Sequence, residues 1–107
     1  MRMIDKVVEL LVEKSESVYW VRHDPKSDMA DIVYYVTSIQ GVVVEVHRTR
    51  YKSDISYPGF RTDYYNMVFG GVSFGHEKCQ EIFQLAEESF ASETDALRRL
   101  LTALRSL

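Results

Sequence analysis

The sequence contains very little cysteine, proline or glycine: one Cys, two Pro and five Gly in 107 residues. A single thiol, Cys79, cannot close a disulfide within the chain. This excludes a disulfide-stabilised scaffold and favours a reducing compartment. No Gly-, Ser- or Pro-rich linker interrupts the chain, so we expect one domain over residues 1–107.

Long uncharged hydrophobic runs are also missing. No segment approaches the roughly 18 apolar residues of a membrane-spanning helix. Asp5 and Glu9 interrupt the first apolar stretch, where a secretory signal would be uncharged. We therefore expect a cytoplasmic protein that does not associate with membranes. The 13 basic and 16 acidic residues give a net charge of −3, which argues against a strongly basic nucleic-acid binder.

The N-terminal segment carries the spacing of an amphipathic helix. Apolar residues recur at i, i+3, i+4, i+7 and i+8, which predicts a helix with one buried face. These residues are Ile4, Val7, Val8, Leu11 and Val12. A β-rich run at 18–23 follows, which predicts a strand.

Two β-branched runs, 32–39 and 42–48, flank Gln40 and Gly41. Such runs around a glycine-containing dipeptide predict a β-hairpin with a two-residue loop. That loop pairs Tyr35 with Val46 on an apolar face and Tyr34 with His47 on a more polar face. On the same register Ile39 pairs with Val42, Thr37 with Val44 and Val36 with Glu45.

The C-terminal half predicts a strand over 64–72 and then two helices. The first helix has an apolar face made by Cys79, Ile82, Phe83, Ala86 and Phe90. Ser92 to Asp95 resembles a capping box and predicts the start of a second helix. Consecutive strands with short turns favour an antiparallel sheet. We expect an α+β fold in which an N-terminal helix and two C-terminal helices cover one face of a three- or four-stranded antiparallel sheet.

The segment from Arg48 to Arg61 differs from the rest of the chain. It has four basic residues and one acid, a local charge of +3 that leaves −6 for the remainder. Aromatic residues alternate with its cations, and Tyr and Arg are enriched at binding hot spots. Little periodicity follows Tyr51, and long segments of that kind are often functional or disordered. The predicted partner-binding residues are Arg48, Arg50, Tyr51, Lys52, Tyr57, Phe60 and Arg61.

These residues support two functions and one structural alternative. The first function is a non-enzymatic protein-binding domain of the inhibitor, immunity, adaptor or chaperone type. The second is a nucleic-acid-binding module, since cations neutralise phosphates and aromatic rings stack on exposed bases. The structural alternative is a solvated strand end on which a tyrosine-rich loop packs.

An enzyme is the third hypothesis, and its candidate residues are few. His76 and Cys79 stand three apart, a spacing found in metal sites and in nucleophile–base pairs. A cluster of His23 with Asp24, Asp28 and Asp31 surrounds the first turn, where Asp is foremost a turn former. Gly70 to Gly75 fits neither the P-loop nor the dinucleotide fingerprint and predicts a tight turn.

The sequence therefore predicts another protein as the main partner, with nucleic acid as the alternative. We expect no cofactor, no metal site and no catalytic residue. The leucines near the C-terminus either complete the core or contact a second copy of the chain, which leaves a homodimer open.

Overall fold

The structure, a computed structural model, describes residues 2–51 and 63–107. Its elements in chain order are the helix α1 (Met3–Lys14), a short 3-10 helix (Ser15–Ser17), the strands β1 (Val21–His23), β2 (Ala30–Ile39), β3 (Val42–Tyr51), β4 (Asp63–Phe69) and β5 (Val72–Phe74), and the helix α2 (Cys79–Arg105). The five strands form one antiparallel sheet in the order β1-β2-β3-β4-β5. The predicted α+β class with an antiparallel sheet is confirmed.

The predicted β2–β3 hairpin is confirmed with its register. Ile39 lies opposite Val42, Tyr35 opposite Val46 and Tyr34 opposite His47. Gln40 and Gly41 both have positive φ, 48° and 83°. Positive φ at both central residues is the geometry of the turn whose twist matches the flanking strands.

The predicted number of strands was too low. Gly70 and Gly71 have φ of 56° and 86°, and they form a second tight turn between β4 and β5. Val72 therefore pairs back with Phe69 instead of extending the preceding strand. β5 has three residues, too few to show an alternating pattern in the sequence. The glycine pair was therefore interpreted as the weakened end of a single strand.

The two predicted C-terminal helices are one helix of 27 residues, α2. Ser92 does not start a new helix, because no glycine or proline lies between Cys79 and Arg105 to break the first one. The Ser-Glu-Thr-Asp sequence resembles a capping box, but a cap is needed only where backbone N–H groups lack partners.

Both helices pack against the same face of the sheet, called here the covered face. The core joins β-strand residues to α1, α2 and Trp20. Its buried members are Val8, Leu11, Trp20, Val33, Tyr35, Val44, Val46, Met67, Cys79, Ile82, Phe83 and Ala86. The indole Nε1 of Trp20 donates to the backbone oxygen of Ser15 at 3.0 Å, so the polar atom of this buried ring is satisfied.

Phe83 anchors α2 on the sheet through aromatic contacts with two strands. Its ring meets Tyr35 at 5.2 Å and Tyr65 at 5.6 Å, both edge to face. Edge-to-face pairs align the positive edge of one ring with the negative face of the other. Burial raises the pKa of the Tyr35 hydroxyl and of the Tyr65 hydroxyl.

The opposite face of the sheet, called here the open face, carries the other set of alternating side chains. It presents Tyr34 and Val36 from β2, Glu45 and His47 from β3, and Asn66 and Val68 from β4. In the described part of the chain no helix packs on these residues. The described part of the chain is therefore a two-layer structure in which one face of the sheet is not covered by a helix.

Candidate functional site

The predicted basic and aromatic segment begins at the end of β3. Arg48, Arg50 and Tyr51 lie on that strand, next to the start of β4. The predicted contacts Lys52, Tyr57, Phe60 and Arg61 lie outside the described residues. The described part of the site is therefore the place where the end of β3 pairs with the start of β4.

Arg48 lies on the covered face, half-buried beside α2. Its guanidinium carbon is 5.1 Å from the centre of the Phe83 ring, a cation–π contact. Among the described residues, the buried Nε of Arg48 has no hydrogen-bond partner. Arg48 therefore packs against the core, whereas the sequence pattern predicted it as a contact for a partner.

Arg50 also lies on the covered face and forms an ion pair with Asp63, its register partner on β4. Its Nε and Nη2 donate to the two carboxylate oxygens at 2.7 and 2.9 Å. This bidentate hydrogen bonding with Asp63 raises the pKa of Arg50. The pair ties the end of β3 to the start of β4.

Tyr51 points to the open face, where it contacts Tyr64. The two ring centres are 5.6 Å apart, edge to face. Tyr51 is 58% exposed and Tyr64 is 56% exposed. The predicted site is therefore divided: Tyr51 lies on one face of the sheet, while Arg48 and Arg50 lie on the other.

Three rings form a stack across the open face. His23 and Tyr34 are stacked at 4.9 Å, and Tyr34 and His47 at 4.5 Å, with interplanar angles of 9°. The Tyr34 ring lies between the two histidine rings, so both of its faces are occupied. His47 also shares a hydrogen bond of 3.1 Å with Glu45.

The ring stack was not predicted from the sequence, although the predicted hairpin register already places Tyr34 opposite His47. The register of β1 on β2, which adds His23 to the stack, is not fixed by a two-residue turn, because residues 24–29 separate the two strands. This pairing also separates His23 from Asp31, which lies on the covered face opposite Arg50, so the proposed His–Asp cluster is not assembled.

His76 and Cys79 do not form a reactive pair. Cys79 is 1% exposed in the apolar core, and burial raises the pKa of its thiol. A raised pKa removes the thiolate on which nucleophilic chemistry depends. His76 instead lies 3.0 Å from Asp5 through Nε2, and its Nδ1 accepts from the backbone N–H of Lys78 at 3.1 Å. One ring nitrogen of His76 therefore contacts α1, and the other contacts the backbone just before α2.

Within residues 2–51 and 63–107, no group of three or more His, Cys, Asp or Glu residues is placed to hold a metal ion. No helix of this described part is both long and apolar enough to cross a membrane. No protein-family model matches the chain, and neither curated proteins nor solved structures show a significant similarity to it.

Proposed function

We propose that this protein is a non-enzymatic protein-binding domain that uses the open face of its sheet at the end of β3 and the start of β4. The observation that carries the proposal is the exposed pair of Tyr51 and Tyr64 on a sheet face that no described helix covers. Tyrosine rings supply a large contact area at a low cost in side-chain entropy, which suits them to protein interfaces.

The neighbours of the tyrosine pair on the open face also suit a protein partner. Thr49, the register partner of Tyr64, and Ile32, the register partner of Thr49, carry no charge. The charged group at the centre of the open face, Glu45, is hydrogen-bonded to His47. An apolar and aromatic centre with few charges is the composition of a protein interface. Lys52, Tyr57, Phe60 and Arg61 follow Tyr51 in the chain and remain predicted contacts of the same partner.

A nucleic-acid partner is supported less well by the same residues. Bases bind such modules by stacking on free aromatic faces beside unpaired cations. Both faces of Tyr34 are occupied by histidine rings, and the guanidinium of Arg50 is held by Asp63. The arginines available to phosphate are therefore fewer than the sequence indicated.

Paired capture experiments test the site. The protein is used as bait in three forms: wild type, the double variant Tyr51→Ala with Tyr64→Ala, and the control Tyr19→Ala. Tyr19 is a matched control because it is 62% exposed and lies just before β1, beside Val21 and Val43 at the other end of the sheet from Tyr51 and Tyr64. We expect at least one specific partner to be retained by wild type and Tyr19→Ala and lost by the double variant.

A photo-crosslinking amino acid at position 64 or 19 then separates direct contact from indirect loss. Crosslinking of the same partner from position 64 and not from 19 supports the site. Retention of every partner by the double variant contradicts it. Titration with single-stranded RNA and DNA at about 50 and about 200 mM salt tests the alternative, because phosphate contacts predict a steep fall in affinity.

A further inference from the structure

An apolar groove of about 750 Å³ runs along α1 on the covered face of the sheet. One wall is α1, and the other is formed by the ends of β2, β3, β4 and β5 near the two tight turns. Of the lining residues, Leu11 and Val44 are buried, whereas Leu10, Val42 and Val72 are about half exposed. Cavities of this size with a mostly apolar lining are typical binding sites for small molecules.

The groove is elongated across the strands. The contact of 3.0 Å between Asp5 and His76 places the first turns of α1 beside the chain that leaves β5, and the other end of α1 leads through the 3-10 helix towards β1. The α1 residues that line the groove run from Met3 to Lys14, a length of about 16 Å at a rise of about 1.5 Å per residue. The four strand ends beside α1 span about 14 Å at a spacing of about 4.8 Å.

These dimensions match one extended hydrocarbon chain. The hydrocarbon core of a bilayer is about 30 Å thick and holds two opposed layers of acyl chains, so one chain is about 15 Å long. Apart from Lys14 and Ser17, every described residue of the lining is apolar. Each buried methylene group raises the affinity of a ligand about fourfold, so an unbranched chain that fills the groove gains along its whole length.

Lys14 is the single charged residue among the described residues of the lining. It lies in the last turn of α1, at the β1 end of the groove. A lysine covers apolar surface with its stem and keeps its ammonium group in water. One turn earlier on α1 stand Leu10 and Leu11, so no acid at helical spacing before Lys14 neutralises that charge. The groove therefore favours an apolar ligand whose head is an anion.

We propose that the groove along α1 binds a long-chain fatty acid, with the hydrocarbon chain across the ends of β2 to β5 and the carboxylate at Lys14. A fatty acid carries no further polar group that the apolar lining would leave without a hydrogen bond. This inference is independent of the proposed function, because the groove lies on the covered face and the pair of Tyr51 and Tyr64 lies on the open face.

Titration calorimetry with sodium tetradecanoate, below its micelle concentration, tests the groove. Wild type is compared with Val42→Glu and with the matched control Val43→Glu. Val42 is 50% exposed and lines the groove, whereas Val43 is 44% exposed and lies on the open face. We expect micromolar affinity for wild type and Val43→Glu. Val42→Glu should bind at least about tenfold more weakly, because it places a second carboxylate in the apolar groove. Near-ultraviolet circular dichroism of the buried Trp20 reports that the fold is retained.

The position of the carboxylate is tested with Lys14→Gln, and Lys6→Gln is the control because Lys6 is exposed on α1 outside the lining. Lys14→Gln should weaken tetradecanoate binding about three- to fivefold, as expected for a solvent-exposed ion pair. It should leave the affinity for the uncharged alcohol of the same chain length unchanged. A cation in the last turn also stabilises the helix itself. If that were the whole role of Lys14, Lys14→Gln would bind tetradecanoate like wild type, and the proposal would be overturned.

The length of the groove predicts a dependence on chain length. Decanoate should bind at least about tenfold more weakly than tetradecanoate, because it buries fewer methylene groups. Equal affinity for the two acids would overturn the proposal, as would equal weakening by Val42→Glu and Val43→Glu.

Absence of tetradecanoate binding by wild type would also overturn it. If a captured partner protein were then lost only in Val42→Glu, the groove would belong to a segment of that protein. The double variant Tyr51→Ala with Tyr64→Ala should bind tetradecanoate like wild type, so a failure of the proposed function is distinguishable from a failure of this inference.

Discussion

At the scale of single residues, the contact between Asp5 and His76 links α1 to the segment just before α2. The Asp5 carboxylate lies 3.0 Å from His76 Nε2 and 3.8 Å from Arg2 Nε. The hydrogen bond to His76 is the main cause that lowers the pKa of Asp5 below its ordinary value of 3.8. A carboxyl with a lowered folded pKa stabilises the fold in its ionised form.

This contact predicts a specific pH dependence of stability. The stabilisation by Asp5 is complete above pH values near 3.8 and is lost as the pH falls through its lower folded value. Asp5→Asn keeps the size and a hydrogen-bond acceptor but removes the charge. We expect a lower melting temperature for Asp5→Asn at neutral pH and convergence with wild type in acid.

Thermal unfolding of both proteins from neutral pH into strong acid measures that difference. The control is Glu9→Gln on the exposed side of α1, for which we expect a smaller change. A constant gap between Asp5→Asn and wild type at all pH values would show that the charge of Asp5 is not involved.

At the scale of elements, the tight turn at Gln40 and Gly41 fixes the register of the longest hairpin. Gly41 has φ of 83°, a conformation that residues with a Cβ adopt only with strain. Gly75 is the matched control, because an added methyl group meets nothing within 4 Å at either glycine and the φ of Gly75 is not positive.

We expect Gly41→Ala to lower the free energy of unfolding by about 1–2 kcal/mol through backbone strain. Gly75→Ala should change it by less than about 0.5 kcal/mol or slightly stabilise the protein, as surface substitutions do. Urea unfolding monitored by Trp20 fluorescence measures both. Equal effects of the two substitutions would exclude the positive φ of Gly41 as the cause.

At the scale of the whole molecule, Phe83 connects the two layers. It contacts Tyr35 on β2, Tyr65 on β4 and Arg48 on β3, and it is 1% exposed. The leucines in the second half of the same helix are about half exposed: Leu97, Leu100, Leu101 and Leu104. Among the described residues, the first half of α2 therefore supplies the contacts that stabilise the domain.

Replacement of Phe83 by Ala is expected to destabilise the domain by about 3–5 kcal/mol, from lost burial and the cavity left behind. Leu101→Ala, at low protein concentration, should cost less than about 1 kcal/mol because Leu101 is 48% exposed. Chemical unfolding of the two variants and wild type provides the comparison. A large effect of Leu101→Ala would show that the second half of α2 packs in the core.

The accuracy of the sequence-based predictions differed between local and distant features. The hairpin register followed from a two-residue loop and the strict alternation of side chains, both local properties. The capping-box interpretation of Ser92 failed because capping residues also occur inside a helix that nothing interrupts. The predicted partner-binding residues on β3 lie on two faces of the sheet, because the alternation of side chains along a strand places Arg50 and Tyr51 on opposite sides.

The sequence by itself determined the α+β class, the apolar face of each helix and the β2–β3 register, because periodicity and turn chemistry act over a few residues. Only the tertiary structure decided the fifth strand, the ion pair of Arg50 with Asp63 and the stacking of His23 on Tyr34. Only the tertiary structure also showed that the sheet covers the first half of α2 and not the second. These features depend on which strands are neighbours and where the sheet ends. Such properties arise from packing of the whole chain and not from any local pattern.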